Sequence, residues 1–268
     1  MIELASKLKW LLTLTLLTGA GFSAAGQAET QEPSAVPGKA TQTIVVFGAS
    51  GKIGGLIVAE ALNRGHKVIG VSRNPQALTI DQESFSAVRG DVTSVESFRA
   101  VVTGADAVVI SVQGNGDGNR PENSTHARAA AAAVVALDGV DGAPYVLQIG
   151  GATTMYETKE AMLANMRSAP DEGTPLYGMF FGHLVALKTY RDSDIDWTVL
   201  TPPFGIKGWA PDGVKDATRT GSYRTSTTDI LTDDSGAPAG IYVADLAVAA
   251  VDEIERHKFV RQRFTVAN

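Results

Sequence analysis

Three glycines carry the first chemical suggestion in this chain. Gly48, Gly51 and Gly54 recur at three-residue intervals in "TIVVFGASGKIGG", Thr43 to Gly55. The stretch reads as a buried strand, Ile44 to Phe47, that turns directly into a helix opening near Lys52. Such a junction suits a phosphate group. The first glycine frees the backbone for the turn. The second keeps side chains away from an approaching pyrophosphate, and the third lets the helix lie close to the strand. The pyrophosphate then meets the N–H groups and the positive dipole end of the helix. Ser50, Lys52 and Ile53 complete the loop as ligand-facing positions.

The strand ends that follow extend this site. "HKVIGVSR" closes on Arg73, with Ser72 and Asn74 beside it and no acid to hold a ribose 2′-hydroxyl. An arginine there pairs with a 2′-phosphate and stacks on adenine, and Lys52 adds a second positive charge. The expected ligand is therefore NADP(H) in preference to NAD(H). After the third strand, "FSAVRGDV", Asp91 and Val92 stand at the adenine end. Asp91 either accepts from the adenine amino group or caps the following turn. Ser111, Val112, Gln113 and Gly114 close a fourth strand, "DAVVISVQG", and are expected along the ribose and nicotinamide half. Gly150 and Gly151, after "PYVLQI", leave room for the nicotinamide ring or a substrate. Pro202, Pro203 and Phe204 form an opposite wall. Tyr156, Phe180, Phe181 and Trp209 are either core or substrate-facing aromatics. The polar stretch Gly114 to Asn123 has the length and composition of a loop that could cover the substrate.

These positions need a frame that gathers strand ends on one side. The pattern supplies it. Short apolar runs alternate with helical segments: Lys52 to Arg64, "VESFRAVVTG", Ser124 to Leu137, "HLVALKTYRDS" and "YVADLAVAAVDEIER". Gly65 suits the position just past the first helix, where φ is positive. The small residues Ala129 to Ala133 suit close packing on a sheet. "DWTVLTPP" reads as a sixth strand and "RFTVAN" as a last one. The alternation argues for an α/β doubly wound parallel sheet of Rossmann type, one domain over 42–268.

Composition narrows the rest. The chain has 268 residues, 44% hydrophobic and 19% charged, with a formal charge of −6 and no cysteine. Disulfides and thiolate chemistry are excluded, and no run of like charge points to nucleic acid. The four histidines, His66, His126, His183 and His257, are too far apart in sequence to read as a metal motif. Lys7 and Lys9 precede an apolar run from Trp10 to Leu17, and small residues, "SAAGQA", follow. This is the pattern of a signal peptide over 1–28, with cleavage after Ala28 or Ala25. A polar linker over 29–41 follows it. The expected address is periplasmic or secreted, the alternative being a cytoplasmic protein or an uncleaved N-terminal anchor.

"GASGKIGG", "VSRNP", "RGDVTSVES" and "VVISVQG" together resemble the atypical short-chain dehydrogenase/reductase superfamily, in its NAD(P)H-binding branch of NmrA-like and flavin reductase/biliverdin reductase B-like proteins. "GHLVALKTYRDSDIDWTVLTPP" and the late hairpin and helix "GSYR…AGIYVADLAVAAV" resemble the same branch. The resemblance implies a reductase that passes hydride from NADPH to a small carbonyl, quinone or flavin. Two departures bear on chemistry. The superfamily's Tyr-x-x-x-Lys is replaced by Met179-x-x-x-His183, and Tyr177 lies two residues off that register. The resemblance makes His183 the candidate acid or active-site polar group, since imidazole titrates near neutral pH. Thr201 stands where many relatives carry arginine before proline. The loss of Tyr-x-x-x-Lys leaves open a protein that binds NADP(H) without turnover. A nucleotide-sugar epimerase is the weaker alternative.

Overall fold

The computed structural model describes residues 29–31, 40–113, 120–156, 159–165, 170–210 and 213–268. The expected signal segment lies outside the described residues, as do Gly114 and most of the polar loop after it.

The strands are β1 (Glu29–Gln31), β2 (Thr43–Phe47), β3 (Lys67–Ser72), β4 (Phe85–Arg89), β5 (Ala107–Ile110), β6 (Tyr145–Ile149) and β7 (Trp197–Thr201). After them come β8 (Gly205–Lys207), β9 (Trp209–Ala210), β10 (Gly213–Val214), β11 (Tyr223–Ser226), β12 (Gly240–Tyr242) and β13 (Gln262–Ala267). The helices are α1 (Lys52–Asn63), α2 (Val95–Val102), α3 (Thr125–Leu137), α4 (Lys159–Asn165), α5 (Pro175–Arg191) and α6 (Val243–Arg256).

The main sheet runs β1-β11-β13-β7-β6-β5-β2-β3-β4. From β13 to β4 every neighbouring pair is parallel, and β11 is antiparallel to β13. The chain starts in the middle at β2, winds outward through β3 and β4, then returns to β5 and winds the other way. That order is the doubly wound arrangement, and its direction reverses between β2 and β5. Central strands are buried on both faces, which is why Ile44 to Phe47 of β2 and all of β5 read as unbroken apolar runs and β6 is broken only by the buried Gln148. Helices α1 and α6 cover one face, where Ile57, Val58 and Ala61 meet Leu246, Ala250 and Ile254. Helices α2, α3 and α5 cover the other, with Phe98, Ala129, Ala133 and Leu187 in one cluster. The buried alanines of α3 let it sit between α2 and α5 against the sheet, as the sequence suggests.

Three differences from expectation have clear causes. Helix α5 begins at Pro175, eight residues before His183, because Thr174 caps it by accepting from the Tyr177 N–H and proline suits the first helical position. The late hairpin is reduced to a bridge between Thr232 and Pro238, while β11 pairs with β13 and β12 pairs with β8. The segment 29–41 also contains β1, which adds to the outer edge of β11 with Thr30 opposite Arg224.

Candidate functional site

The C-terminal ends of the parallel strands form one row. Arg73 follows β3, Gly48 follows β2, Ser111 follows β5, Gly150 follows β6 and Pro202 follows β7. Adjacent strands lie about 4.8 Å apart, so the row spans a groove of dinucleotide length.

The glycine loop is built as its spacing implies. Gly48 has φ of +81°, and a Cβ there would stand 2.1 Å from the Ser111 carbonyl oxygen. Gly54 packs on the loop itself: a Cβ would stand 2.2 Å from the Gly48 oxygen. Gly51 differs from both. Its φ is −80°, and a Cβ would meet the Gly48 oxygen at 3.1 Å, so protein crowds it least. Its lack of a side chain is best explained by an outside group that must come close. Gly51 also occupies the N-cap of α1, where no side chain caps the helix and no acid lies in the first turn. The positive end of α1 is thus left for an anion, and a pyrophosphate fits it.

At the end of the groove where adenine is expected, Arg73 is exposed. Asp91 accepts from the Thr93 N–H at 2.9 Å and from the Thr93 hydroxyl at 2.8 Å. Those bonds, led by the backbone one, hold its carboxyl below its usual range, with Arg128 and Arg73 adding to them. Asp91 therefore caps its own turn while remaining at the crevice. Val92 is buried in the core against α2, which leaves its backbone alone for a ligand. Ser50 faces Ser72 across the loop, hydroxyl to hydroxyl at 3.3 Å. Lys52 reaches elsewhere than the 2′-phosphate position: its ammonium donates to the Ala210 carbonyl at 2.7 Å and sits 4.8 Å from the Trp209 ring centroid. Ile53 is half-buried and packs against the core beneath. Ser111 and Val112 are half-buried at the mouth of β5, and Gln113 is exposed.

At the other end, Gly150 lies over the sheet, where a Cβ would press on Val199 at 2.7 Å. Thr154 and Thr201 hold the floor below it, hydroxyl to hydroxyl at 2.7 Å, and Thr154 also donates to the Gly151 carbonyl. Thr201 is thus a buried support, with no exposure to the crevice. His183 lies directly against Gly151: a Cβ there would stand 2.4 Å from its Cδ2 and 2.7 Å from its Nε2. Of the aromatics, Phe181 is core, while Phe204 and Trp209 are about half exposed.

One feature escaped the sequence. His126 of α3 packs against His183 of α5, ring centroids 3.6 Å apart and planes tilted by 32°. The Nδ1 of each ring is buried and has no hydrogen-bond partner among the described residues. Burial pushes the His126 imidazole down to about 4. Burial pushes His183 well below its usual value, and His126 adds to the effect. The expectation of a histidine titrating near neutrality is therefore corrected: a charged ring would be desolvated and would face a second imidazole, so both rings are neutral at neutral pH. A lone pair left unmet costs less than an N–H left unmet, which favours the tautomer with the proton on Nε2, the nitrogen next to Gly151. The separation of 57 positions hid this pair; only the packing of α3 on α5 joins them. No group of three or more metal-ligating side chains exists among the described residues.

Residues 48–254 match the profile of a family described as NAD(P)H-binding. The chain belongs to that family. A nicotinamide dinucleotide is accordingly its cofactor class, and the resemblance drawn from the sequence holds. YwnB of Bacillus subtilis (strain 168), named as an uncharacterized protein, is 29% identical over 228 residues, covering 84% of this chain and 98% of YwnB. Among solved structures, SP1627 of Streptococcus pneumoniae TIGR4, named as a putative NADH-flavin reductase, superposes with a TM-score of 0.66 at 23% identity, over 85% of this chain and 99% of that one. That likeness is one of fold. A Burkholderia pseudomallei protein named as a putative exported protein gives a TM-score of 0.63 at 28% identity, over 85% of this chain and 100% of the other.

Proposed function

We propose that the protein is an NADPH-dependent oxidoreductase whose acceptor is a flavin or quinone, with a small carbonyl compound as the less suited substrate. The observation that carries this reading is the neutral imidazole of His183 packed against Gly151, at the end of the groove opposite Arg73. A reduced nicotinamide supplies hydride when bound. The chain's own residues supply position and polarity. The glycine loop and α1 take the pyrophosphate. Arg73 takes the 2′-phosphate, which sets the preference for NADP(H) over NAD(H). Ser111, Val112 and Gln113 border the ribose; the space beside Gly150 and Gly151 is taken by Val199 and His183, so these glycines serve to seat His183 at the end of the groove rather than to hold the ring. His183 offers a hydrogen bond from Nε2 to the acceptor.

A neutral imidazole holds its proton too tightly to be a strong acid. An aldehyde or ketone needs a proton at its oxygen as hydride arrives. A flavin or quinone spreads the new negative charge over its ring system and takes its proton from water afterwards. That contrast favours the second class. The test is NADPH oxidation by the full chain with flavins, quinones and aldehydes side by side. Turnover with aldehydes alone contradicts the acceptor class.

A second reading is a protein that binds NADP(H) without turnover. Met179 at the tyrosine position of the superfamily pattern favours it. Tight NADPH binding with no oxidation across the panel would establish it. The N-terminal segment 1–28 is further proposed to be a cleaved export signal, which the name of the Burkholderia protein supports. Sequencing the mature N-terminus and fractionating the cells tests that.

A further inference from the structure

Trp209 is a large apolar side chain that remains 43% exposed. It belongs to β9, which follows the short strand β8 and pairs with β10, well away from the glycine loop in sequence. Yet it meets that loop in space. Lys52, the first helical residue of α1, donates to the carbonyl of Ala210, and its ammonium lies over the Trp209 ring. Side chains on a helix tilt toward its N-terminus, so Lys52 projects over the very turn where a pyrophosphate would lie. The segment carrying Trp209 is anchored on its other side: β8 pairs in parallel with β12, Ile206 opposite Ile241. A Cβ on Gly208 would stand 2.0 Å from the Asp216 carbonyl oxygen at a φ of +77°, which pins the bend that presents Trp209.

We propose that Trp209 and Lys52 form a clasp that closes the pyrophosphate end of the groove over bound NAD(P)H, with Lys52 moving its charge from the Ala210 carbonyl to a phosphate oxygen and Trp209 roofing it. The exchange is favourable in direction, because a phosphate oxygen is a stronger acceptor for an ammonium than a peptide carbonyl. The indole face continues to stabilise the cation while water is excluded. The clasp rests on nucleotide binding at the glycine loop and is indifferent to which acceptor is reduced. It acts on residence time, and on both nucleotides alike, since neither residue reads the 2′-phosphate.

The test is dissociation of NADPH and of NADH from the full chain by stopped flow, following nicotinamide fluorescence during displacement. Wild type, Trp209→Ala, Lys52→Met and the double variant are compared, with Trp209→Phe as a conservative control. Trp209→Ala is expected to speed release of both nucleotides about tenfold, the scale of one partly desolvated cation–π contact. The double variant is expected to be no faster than the worse single variant, because the two residues act as one device. Trp209→Phe is expected to restore most of the slow release. Unchanged release in Trp209→Ala overturns the clasp, and so do effects of the two single changes that simply add. Wild-type protein that binds neither nucleotide overturns the clasp together with the reading it rests on.

Discussion

At the scale of single residues, the proposed function rests on Arg73 and His183. Arg73 is exposed and lies close enough to Asp91 to help hold that carboxyl ionised. Arg73→Glu replaces an attraction for the 2′-phosphate with a repulsion. It is expected to weaken NADPH affinity by about a hundredfold and leave NADH nearly unchanged, as read by calorimetry with both nucleotides. His126 adds to the burial that keeps His183 neutral. Its folded value of about 4 lies below that of a free imidazole. Below about pH 6.5 the unfolded chain binds a proton that the folded one refuses, so stability falls as pH drops toward 4, by about 3 kcal/mol for this ring alone. His126→Phe keeps a packed ring and removes that titration. Urea unfolding between pH 7 and pH 4.5 should therefore show a flatter decline in the variant. Arg73 could be read from the sequence because a strand end fixes its place. The His126–His183 pair could not, because it depends on how α3 and α5 pack, and no local pattern encodes that.

At the scale of elements, the three loop glycines are not equivalent. Gly54→Ala drives a Cβ against the Gly48 oxygen and is expected to cost about 2–3 kcal/mol of stability. Gly51→Ala meets only a 3.1 Å approach at an ordinary φ, and is expected to fold normally while losing nucleotide affinity. Thermal unfolding and calorimetry on the pair separate the two roles. The strand-loop-helix from β2 to α1 was legible because apolar run, glycine spacing and helix start all lie within thirteen residues. The start of α5 was readable in principle from Thr174 and Pro175, a cap and a first-turn proline. The glycines and aromatics of "PLYGMFFG" masked it, since they are weak helix formers. Strands β8 to β10 are two or three residues long and carry no periodicity to find. Their contribution, Trp209 over Lys52, is therefore visible only in the fold.

At the scale of the whole molecule, α1, α6 and the segment before β11 are tied by one polar network. Glu60 accepts from Arg64 and from Arg219, while Arg64 also donates to Asp252 at 2.6 Å and to Glu255 at 3.1 Å. Arg64 is largely enclosed, so removing it takes a charged donor from each of three clustered carboxylates, Glu60, Asp252 and Glu255. Arg64→Met is expected to cost about 3 kcal/mol in urea unfolding. The network closes the molecule on the face behind α1, whose N-terminus points into the groove. The central claim is that the row from Arg73 to Gly151 holds a nicotinamide dinucleotide, with the 2′-phosphate preferred. The most direct measurement is calorimetric titration of the full chain with NADPH and with NADH. Saturable one-to-one binding of both is expected, tighter for NADPH. Absence of binding by either nucleotide, or tighter binding of NADH, would contradict it.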